Sequence, residues 1–356
     1  MTTKSKILSF LNSSGFVSGE ELARECGVSR TAIWKSVRSL RNDGFEIEAV
    51  TNKGYRIVSA PDALSAPAIQ EAARTLGARV GNVFCFSTID STSSEAKRKA
   101  VLVGAFRDQN GTLTEKGGEF HRAVFVAEQQ TSGRGRMGRT FVSPPKSGIY
   151  FSLLYAPRGG LDNPALFTAA AAVAVCEALD SLFGTECKIK WVNDVFSGNK
   201  KICGILTEGF SHFETGKIEA AIVGIGINVR NAGLDGDLAK VVGNVEDSLA
   251  AAGKPVPAIS RNEVVAHVVA RLLAFYDESE AQNAPCFGRM ISEYRRRSLL
   301  AGKTVLVNPA AGMGGESYEA TVLGISESAE LVVRTASGET KSLSSGEVSL
   351  HSHSFV

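Results

Sequence analysis

Cysteine is scarce in this sequence, and the signals of an exported or membrane-spanning chain are lacking. Its six cysteines among 356 residues lie far apart and form no CxxC pair, which is typical of reduced thiols rather than of a disulfide framework. The N-terminus lacks the apolar core of a signal peptide. An apolar stretch around residues 169–175 is too short to span a bilayer and is soon followed by Glu177 and Asp180. We therefore expect a cytoplasmic protein with no membrane partner.

An excess of one charge is also lacking. The formal net charge is +2 and no long like-charge run occurs, so a chain-wide polyelectrolyte surface is excluded and any contact with nucleic acid should be local. The five histidines are scattered, apart from His351 and His353, and the sequence shows no dedicated cluster of metal ligands. At 356 residues the chain exceeds the size of a single core, so two or three domains are expected.

The first sixty residues form a small basic module. Residues 4–58 predict three helices and a hairpin, in which Ser18 and Glu21 form a capping box, Gly27 ends the second helix and Ser29 caps the third. The segments 46–50 and 54–58 predict a hairpin wing. Residues 1–60 contain nine Lys and Arg against six Asp and Glu, which is more than the excess of the whole chain. The positive charge is therefore concentrated in this module.

The third helix of this module has the pattern of a recognition helix. Ile33, Val37 and Leu40 have helical spacing and should face inward, which leaves a basic, hydrogen-bonding outer face. A small helical domain with a solvated charged face would share this pattern. The sequence GEELARECGVSRTAIWK at residues 19–35 resembles bacterial winged helix-turn-helix repressors, which implies operator DNA as a partner. The residues expected to contact DNA are Ser29, Arg30, Thr31, Trp34, Lys35 and Arg38.

The pattern of the chain changes after the basic module. Residues 60–67 contain Pro61 and Pro67 and few apolar anchors, so a linker with a leading helix is expected at 61–80. From residue 83, alternating apolar segments and helices predict an α+β sheet domain. Strands are predicted at 83–86, 123–127, 148–154, 188–192, 202–208 and 218–227, and helices at 93–102, 164–182 and 262–276. Residues 104–120 are rich in Gly and polar residues and are expected to form a mobile surface loop.

The loop GRGRMGR at residues 133–139 is unusual in composition. Three glycines and three arginines in seven residues cannot easily form a regular element. Such a loop could become ordered around a phosphate, with guanidinium groups donating charge-assisted bonds and backbone N–H groups approaching at the glycines. An exposed basic turn or an RNA-binding patch would have the same composition. The loop alone leaves both interpretations open.

Polar residues and glycines also interrupt the apolar segments. They occur in KWVND at 190–194, KKICGIL at 200–206 and GIGIN at 224–228, and in DSTS at 90–93 and EQQ at 128–130. Taken singly, these segments have ordinary structural interpretations, with Trp191 in the core, Asn193 and Asp194 in a turn and the glycines at bulges. Together with the 133–139 loop and in this order, they resemble the bifunctional biotin protein ligase and biotin operon repressor family over nearly the whole chain.

The resemblance implies a fold, a reaction and partners. The fold would be α+β, with an N-terminal winged helix-turn-helix at 1–60, a central mixed-sheet class II synthetase-like ligase domain at 81–299 and a C-terminal SH3-like β-barrel at 300–356, where short strands are predicted at 303–307, 318–325, 330–333 and 347–350. The reaction would be formation of biotinyl-AMP from biotin and ATP with Mg²⁺, and transfer of biotin to a lysine of a biotin carboxyl carrier protein domain. Biotinyl-AMP would promote a homodimer that binds operator DNA and represses biotin genes.

The resemblance also implies roles for individual residues. Ser91 and Thr92 would hydrogen-bond the ureido ring of biotin, whereas Ser93 replaces the usual Asn, so its contact could be lost or bridged by water. The other biotin-binding residues would be Gln130, Arg134, Gly135, Arg136, Lys201, Gly204 and Gly224. The ATP-binding residues would be Arg136, Arg139, Asn193, Lys201 and Asn228.

The chemistry of such a reaction requires cations. The carboxylate of biotin attacks the α-phosphorus of ATP although both are negatively charged, and Arg136 and Lys201 would offset this repulsion. An acceptor lysine must then lose a proton before it attacks the adenylate, and Asp194 would act as its base or orient it. Two other functions stay open at this point: a related acyltransferase such as a lipoate ligase, and a ligand-sensing repressor without catalysis.

Overall fold

The computed structural model describes residues 3–13, 15–42, 45–59, 62–161, 163–211, 216, 218–257, 259–281, 287–308, 316–344 and 347–350. The chain divides into two compact units. The first is Met1–Ala63 with Pro257–Arg261, and the second is Leu64–Val256 with Asn262–Val356. Residue 61 of the predicted linker, residue 60 before it, and His351 and His353 lie outside the described residues.

The N-terminal unit is a winged helix. Its helices are α1 (Thr3–Ser13), α2 (Gly19–Cys26) and α3 (Arg30–Asn42), and β1 (Glu46–Val50) pairs antiparallel with β2 (Gly54–Ser59). The hydroxyl of Ser18 accepts the N–H of Glu21 at 3.1 Å, and Gly27 ends α2 with a φ of +69°. Ile33, Val37 and Leu40 of α3 are buried, as their spacing predicts. The predicted winged helix-turn-helix is confirmed.

A seven-stranded mixed sheet forms the centre of the second unit. Its strand order is β3-β4-β5-β9-β8-β7-β6, in which β3 and β4 are parallel and all other neighbours are antiparallel. The strands are β3 (Val83–Phe86), β4 (Ala123–Ala127), β5 (Gly148–Tyr155), β6 (Lys188–Lys190), β7 (Asp194–Ser197), β8 (Lys200–Ser211) and β9 (Ile218–Asn228). The strand predicted at 188–192 is too long, because residues 191–193 form a turn that leads into β7.

Helices cover this sheet and lie near its ends. They are α4 (Ala66–Thr75), α5 (Thr92–Val103), α6 (Glu115–Phe120), α7 (Pro164–Phe183), α8 (Gly236–Val241), α9 (Val245–Ala251), α10 (Arg261–Ala281) and α11 (Gly288–Arg296). The three predicted helices are confirmed within a few residues. By length and composition α7 could cross a membrane, but 72% of its apolar window is buried inside the protein. Such burial is typical of a core helix.

The prediction of a mobile loop at residues 104–120 is wrong. Phe106 is fully buried and packs edge-on against Phe210 of β8. Arg107 donates from Nη2 to the carbonyl of Ala156 at 2.8 Å, just beyond β5. Thr114 caps α6 by accepting the N–H of Gly117 at 2.9 Å. The contacts of Phe106 and Arg107 thus join to distant strands a segment whose local composition is typical of a loop.

The C-terminal part of the second unit is a separate antiparallel sheet. Its strands are β10 (Thr304–Asn308), β11 (Tyr318–Ile325), β12 (Leu331–Thr335), β13 (Thr340–Leu343) and β14 (Glu347–Leu350), in the order β13-β12-β11-β10-β14. Four of these strands agree with the sequence prediction, whereas β13 was not predicted. The observed architecture is therefore the predicted α+β class.

Candidate functional site

All the residues predicted to bind biotin or ATP line one cavity of about 560 Å³. This cavity lies over β5, β9 and β8 and is bounded by residues 133–142, the turn between β6 and β7, and α8. A second cavity of about 760 Å³ includes Lys200 and Asn228 but neither Arg136 nor Lys201. The smaller cavity is the candidate site, because both the predicted cations and the predicted hydroxyl groups line it. The roles of these residues remain predictions.

Buried hydroxyl groups form one end of the cavity. Ser91 caps α5, and the backbone N–H of Thr92 donates to Oε1 of Gln130 at 2.9 Å. The hydroxyl of Ser152, in the middle of β5, lies 2.8 Å from that of Thr92 and 3.0 Å from that of Ser93. The side chains of Thr92, Ser93, Gln130 and Ser152 thus orient one another. Such an arrangement suits recognition of a small polar ring.

An ion pair fixes the start of α5 beside this end. Arg98 donates from both terminal nitrogens to Asp90 at 2.8 Å, one residue before Ser91. These hydrogen bonds lower the pKa of Asp90 to about 2. The carboxylate therefore stays charged and holds the DSTS segment in place at physiological pH.

Glycines make the floor of the cavity. Gly204 of β8 lies opposite Gly226 of β9, and Gly224 lies opposite both Ser152 of β5 and Leu206 of β8. The ring of Phe141 fills the space beside Gly226, since a Cβ added there would come within 2.5 Å of the ring. These glycines permit close approach of side chains as well as of a ligand.

Charged side chains form the opposite end. Lys201 of β8 places Nζ 2.7 Å from Oδ1 of Asp194, and both side chains are about one-quarter exposed. Arg136 donates from Nη1 to Oδ1 of Asn193 at 3.2 Å, and Nδ2 of Asn193 donates to the carbonyl of Ile205 at 2.9 Å. The turn between β6 and β7 therefore holds Arg136, and the first residue of β7 holds Lys201. Cys203 is fully buried nearby, and burial raises its pKa, so its thiol stays protonated.

The arginine-glycine loop is ordered by contacts with the sheet. Arg134 donates from both Nη atoms to the carboxylate of Glu208 at 2.8 and 2.9 Å. The N–H of Gly135 donates to the carbonyl of Arg139 at 2.7 Å, and residues 136–138 make one 3₁₀ turn. The prediction that this segment would lack regular structure is therefore only partly right. Met137 is 52% exposed at the tip of the turn.

Asn228 and α8 form the remaining wall. Nδ2 of Asn228 donates to the carbonyl of Gly243 at 3.1 Å, which leaves its oxygen for another donor. Leu238 and Val241 of α8 are more than half exposed and line the same cavity. This wall combines apolar surface with an amide, as a site for a heterocyclic base requires.

Two residues of the site were not predicted from the sequence: Phe141 lines the cavity, and Ser152 is fully buried behind Thr92 and Ser93. Ser152 lies in an otherwise apolar strand, and a hydroxyl at a fully buried position was a usable signal because it needs a partner. Phe141 lies two residues after the arginine-glycine loop, but only the fold shows that Gly226 makes room for its ring. The strand pairing that joins these positions is not readable from local sequence.

A second candidate surface lies on the N-terminal unit. Every residue predicted to contact DNA is exposed on α3 or at its cap. Ser29 accepts the N–H of Ala32 at 3.2 Å, and the guanidinium of Arg38 lies 5.6 Å from the ring of Trp34. Arg41 instead donates to the carbonyl of Ile47 at 2.6 Å and holds the wing against α3.

Known families and proteins match the chain along its length. An HTH domain matches residues 3–56, the Biotin/lipoate A/B protein ligase family matches residues 115–228, and the Biotin protein ligase C terminal domain matches residues 310–351. The chain is 30% identical to the bifunctional ligase/repressor BirA of Bacillus spizizenii over 92% of each chain, and 29% identical to that of Bacillus subtilis over 96% of each. A solved structure of biotin protein ligase from Aquifex aeolicus, in complex with biotin and ATP, is 25% identical with a TM-score of 0.57 and covers 76% of this chain and 98% of that one.

Proposed function

This chain belongs to the family of bifunctional biotin ligases and repressors, and on that premise we propose that it uses ATP to join biotin to a lysine of an acceptor protein. The observation that carries the proposal is the single cavity with hydroxyl groups at one end and Arg136, Lys201 and Asp194 at the other. The hydroxyl end suits the ureido ring of biotin. The charged end suits its carboxylate and the phosphates of ATP.

The first step is activation of biotin. A carboxylate oxygen of biotin forms a bond to the α-phosphorus of ATP while the bond to pyrophosphate breaks, which gives biotinyl-AMP. Arg136 and Lys201 offset the negative charge that accumulates around the α-phosphorus. Were Mg²⁺ bound with the triphosphate, Asn193 and Asp194 would be the residues to add one or two oxygen ligands, and the ion would help to offset the charge of the departing pyrophosphate.

The second step is transfer to the acceptor, for which we propose a biotin carboxyl carrier protein domain. The neutral amine of its lysine attacks the carbonyl carbon of biotinyl-AMP, an amide bond forms, and AMP leaves with the bonding electrons. Asp194 lies at the charged end, where it can accept the proton of the amine or orient the amine. Its pairing with Lys201 supports a role in both steps.

Biotin-dependent exchange of pyrophosphate into ATP tests the first step. We expect Arg136→Ala and Lys201→Ala each to lower the exchange rate on the order of a hundredfold, the usual effect of losing one group that stabilises transition-state charge. Arg74→Ala is the matched control, because Arg74 is exposed on α4 and pairs only with Glu71 among the described residues. Full exchange in both site variants would refute the assignment. Exchange driven by lipoate instead of biotin would favour the related acyltransferase.

We further propose that the N-terminal unit makes the protein a biotin-responsive repressor in the cytoplasm. The exposed basic face of α3 supports contact with operator DNA, and two copies would match a palindromic site. Regulation requires that biotinyl-AMP bind the dimeric state more tightly than the monomer.

Operator binding and sedimentation test this second role together. With biotin and ATP present, we expect a homodimer at micromolar protein and salt-dependent binding to operator DNA. Arg30→Ala should weaken that binding by roughly tenfold, since a base contact contributes about 1–3 kcal/mol. Arg74→Ala again serves as control. An unchanged mass on adding biotin and ATP, or undiminished operator affinity in Arg30→Ala, would contradict the proposal.

A further inference from the structure

The turn between β6 and β7 is held from its rear side by two buried hydrogen bonds. Nε1 of Trp191 donates to the carbonyl of Ala329 at 3.0 Å, and the hydroxyl of Tyr294 donates to the carbonyl of Val192 at 3.1 Å. Trp191 is 5% exposed and Tyr294 is fully buried. Buried donors of this kind are costly to leave unpaired, so both bonds constrain the turn strongly.

Ala329 belongs to a rigid turn of the C-terminal sheet. The turn between β11 and β12 is closed by the N–H of Ser326 donating to Glu330 at 2.9 Å and by the N–H of Ala329 donating to Ser326 at 3.1 Å. Ala329 is fully buried, and Asn163, the cap of α7, donates to the carbonyl of Ser328 at 3.1 Å. The acceptor of the Trp191 hydrogen bond is therefore fixed in space.

Helix α11 ties the two turns together. Tyr294, near the end of α11, donates to the turn between β6 and β7. The next residue, Arg295, donates from Nε to the carbonyl of Ile325 at 2.7 Å, at the end of β11. Arg297 follows and donates from Nη1 to the carbonyl of Cys187 at 3.0 Å, just before β6. Residues 294–297 thus contact both the C-terminal sheet and the chain that leads into the turn between β6 and β7.

The front of the same turn carries the charged end of the cavity. Asn193 accepts from Arg136, and Asp194 pairs with Lys201, two and three residues after Trp191. A displacement of the turn by a fraction of an ångström would alter both contacts. Charge stabilisation in a closed site depends steeply on such distances.

We propose that Trp191 and Tyr294 are positioning residues for the ligase reaction, and that the turn at residues 326–330 makes the C-terminal sheet a structural part of the adenylation site. The inference rests on the proposed function, because it takes Asn193 and Asp194 to act in that reaction. It assigns to the indole N–H of Trp191 a role beyond filling the core.

Two conservative substitutions test the role of the donors. Tyr294→Phe removes only the hydroxyl group, whereas Trp191→Phe keeps an aromatic ring but removes the indole N–H together with part of the ring system. We expect each to lower kcat for biotin-dependent pyrophosphate exchange on the order of tenfold, while the Kd for biotin stays within about twofold, because the hydroxyl end of the cavity lies on β5 and α5. Tyr276→Phe is the matched control, since the hydroxyl of Tyr276 is buried and has no hydrogen-bond partner among the described residues.

A double-mutant cycle separates positioning from loss of packing. If Trp191 acts through the turn, Trp191→Phe combined with Asp194→Asn should lower exchange by less than the product of the two single effects, whereas Trp191→Phe combined with Ser91→Ala should be multiplicative. Should Trp191→Phe fold poorly, Tyr294→Phe carries the same cycle. If the wild-type protein catalyses the exchange and kcat is undiminished in Tyr294→Phe, the inference is overturned. A multiplicative cycle with Asp194→Asn would overturn it as well. An inactive wild-type protein would instead overturn the proposed function.

Discussion

At the scale of single residues, the ring of Phe141 packs closely on Gly226. A methyl group at this position would come within 2.5 Å of two atoms of the Phe141 ring. The ring would then have to move, and the free space available to it is the cavity itself. Gly226→Ala should therefore weaken biotin binding on the order of tenfold, because overpacking a fixed site costs about 1–3 kcal/mol.

Calorimetric titration with biotin measures this effect. Gly118→Ala is the control, since a methyl group added there meets nothing within 4 Å. Wild-type affinity in Gly226→Ala would show that the Phe141 ring does not limit the space for the ligand.

Ser93 shows how a departure from the family pattern can be accommodated. From the sequence, the contact of this residue with biotin was expected to be lost or bridged by water. In the structure its hydroxyl lies 3.0 Å from that of Ser152, and a Cβ at Gly224 would approach it within 2.5 Å. The absence of a side chain at Gly224 therefore makes room for the Ser93 hydroxyl. The serine is thus matched to its surroundings, although its contact with biotin stays a prediction.

At the scale of elements, the sequence predicted what depends on local pattern. The spacing of Ile33, Val37 and Leu40 was sufficient for α3, and the strand at 123–127 was predicted with its observed bounds. The segment 104–120 was misjudged, because Phe106 and Arg107 are held by β8 and by the carbonyls after β5. Contacts of this kind join positions far apart in the chain and leave no local periodicity.

The candidate site divides in the same way. Residues within the motifs, such as Arg136 and Lys201, were predicted because the motifs and their order resemble the ligase family. Their partners were not, because Glu208 reaches Arg134 and Ser152 reaches Thr92 only through the register of the sheet. The hydrogen bond from Trp191 to Ala329 likewise depends on how the C-terminal sheet packs against the turn between β6 and β7.

At the scale of the whole molecule, stability should depend on pH through His121, at the end of α6. Its Nδ1 accepts the N–H of Ala156 at 3.2 Å, and its ring packs on Tyr155. Burial, with Arg122 and Arg107 nearby, lowers the pKa of His121 to about 4 from its ordinary 6.5. The unfolded chain therefore binds a proton at a higher pH than the folded protein does. The stabilisation is fully present above pH 6.5, and it is lost as the pH falls toward 4.

The free energy of unfolding of the second unit should consequently fall on acidification by more than in His121→Asn, which cannot titrate but can still accept the Ala156 N–H. Between about pH 7.5 and about pH 5 we expect an extra loss of about 1–2 kcal/mol in the protein with His121, after allowance for its partial exposure. Urea unfolding in a Trp34→Phe background measures it, because Trp191 is then the only tryptophan and reports on the second unit alone. Equal pH dependence in the two proteins would mean that the imidazole of His121 is protonated as readily in the folded protein as in the unfolded chain. Its burial at the end of α6 would then not lower its pKa.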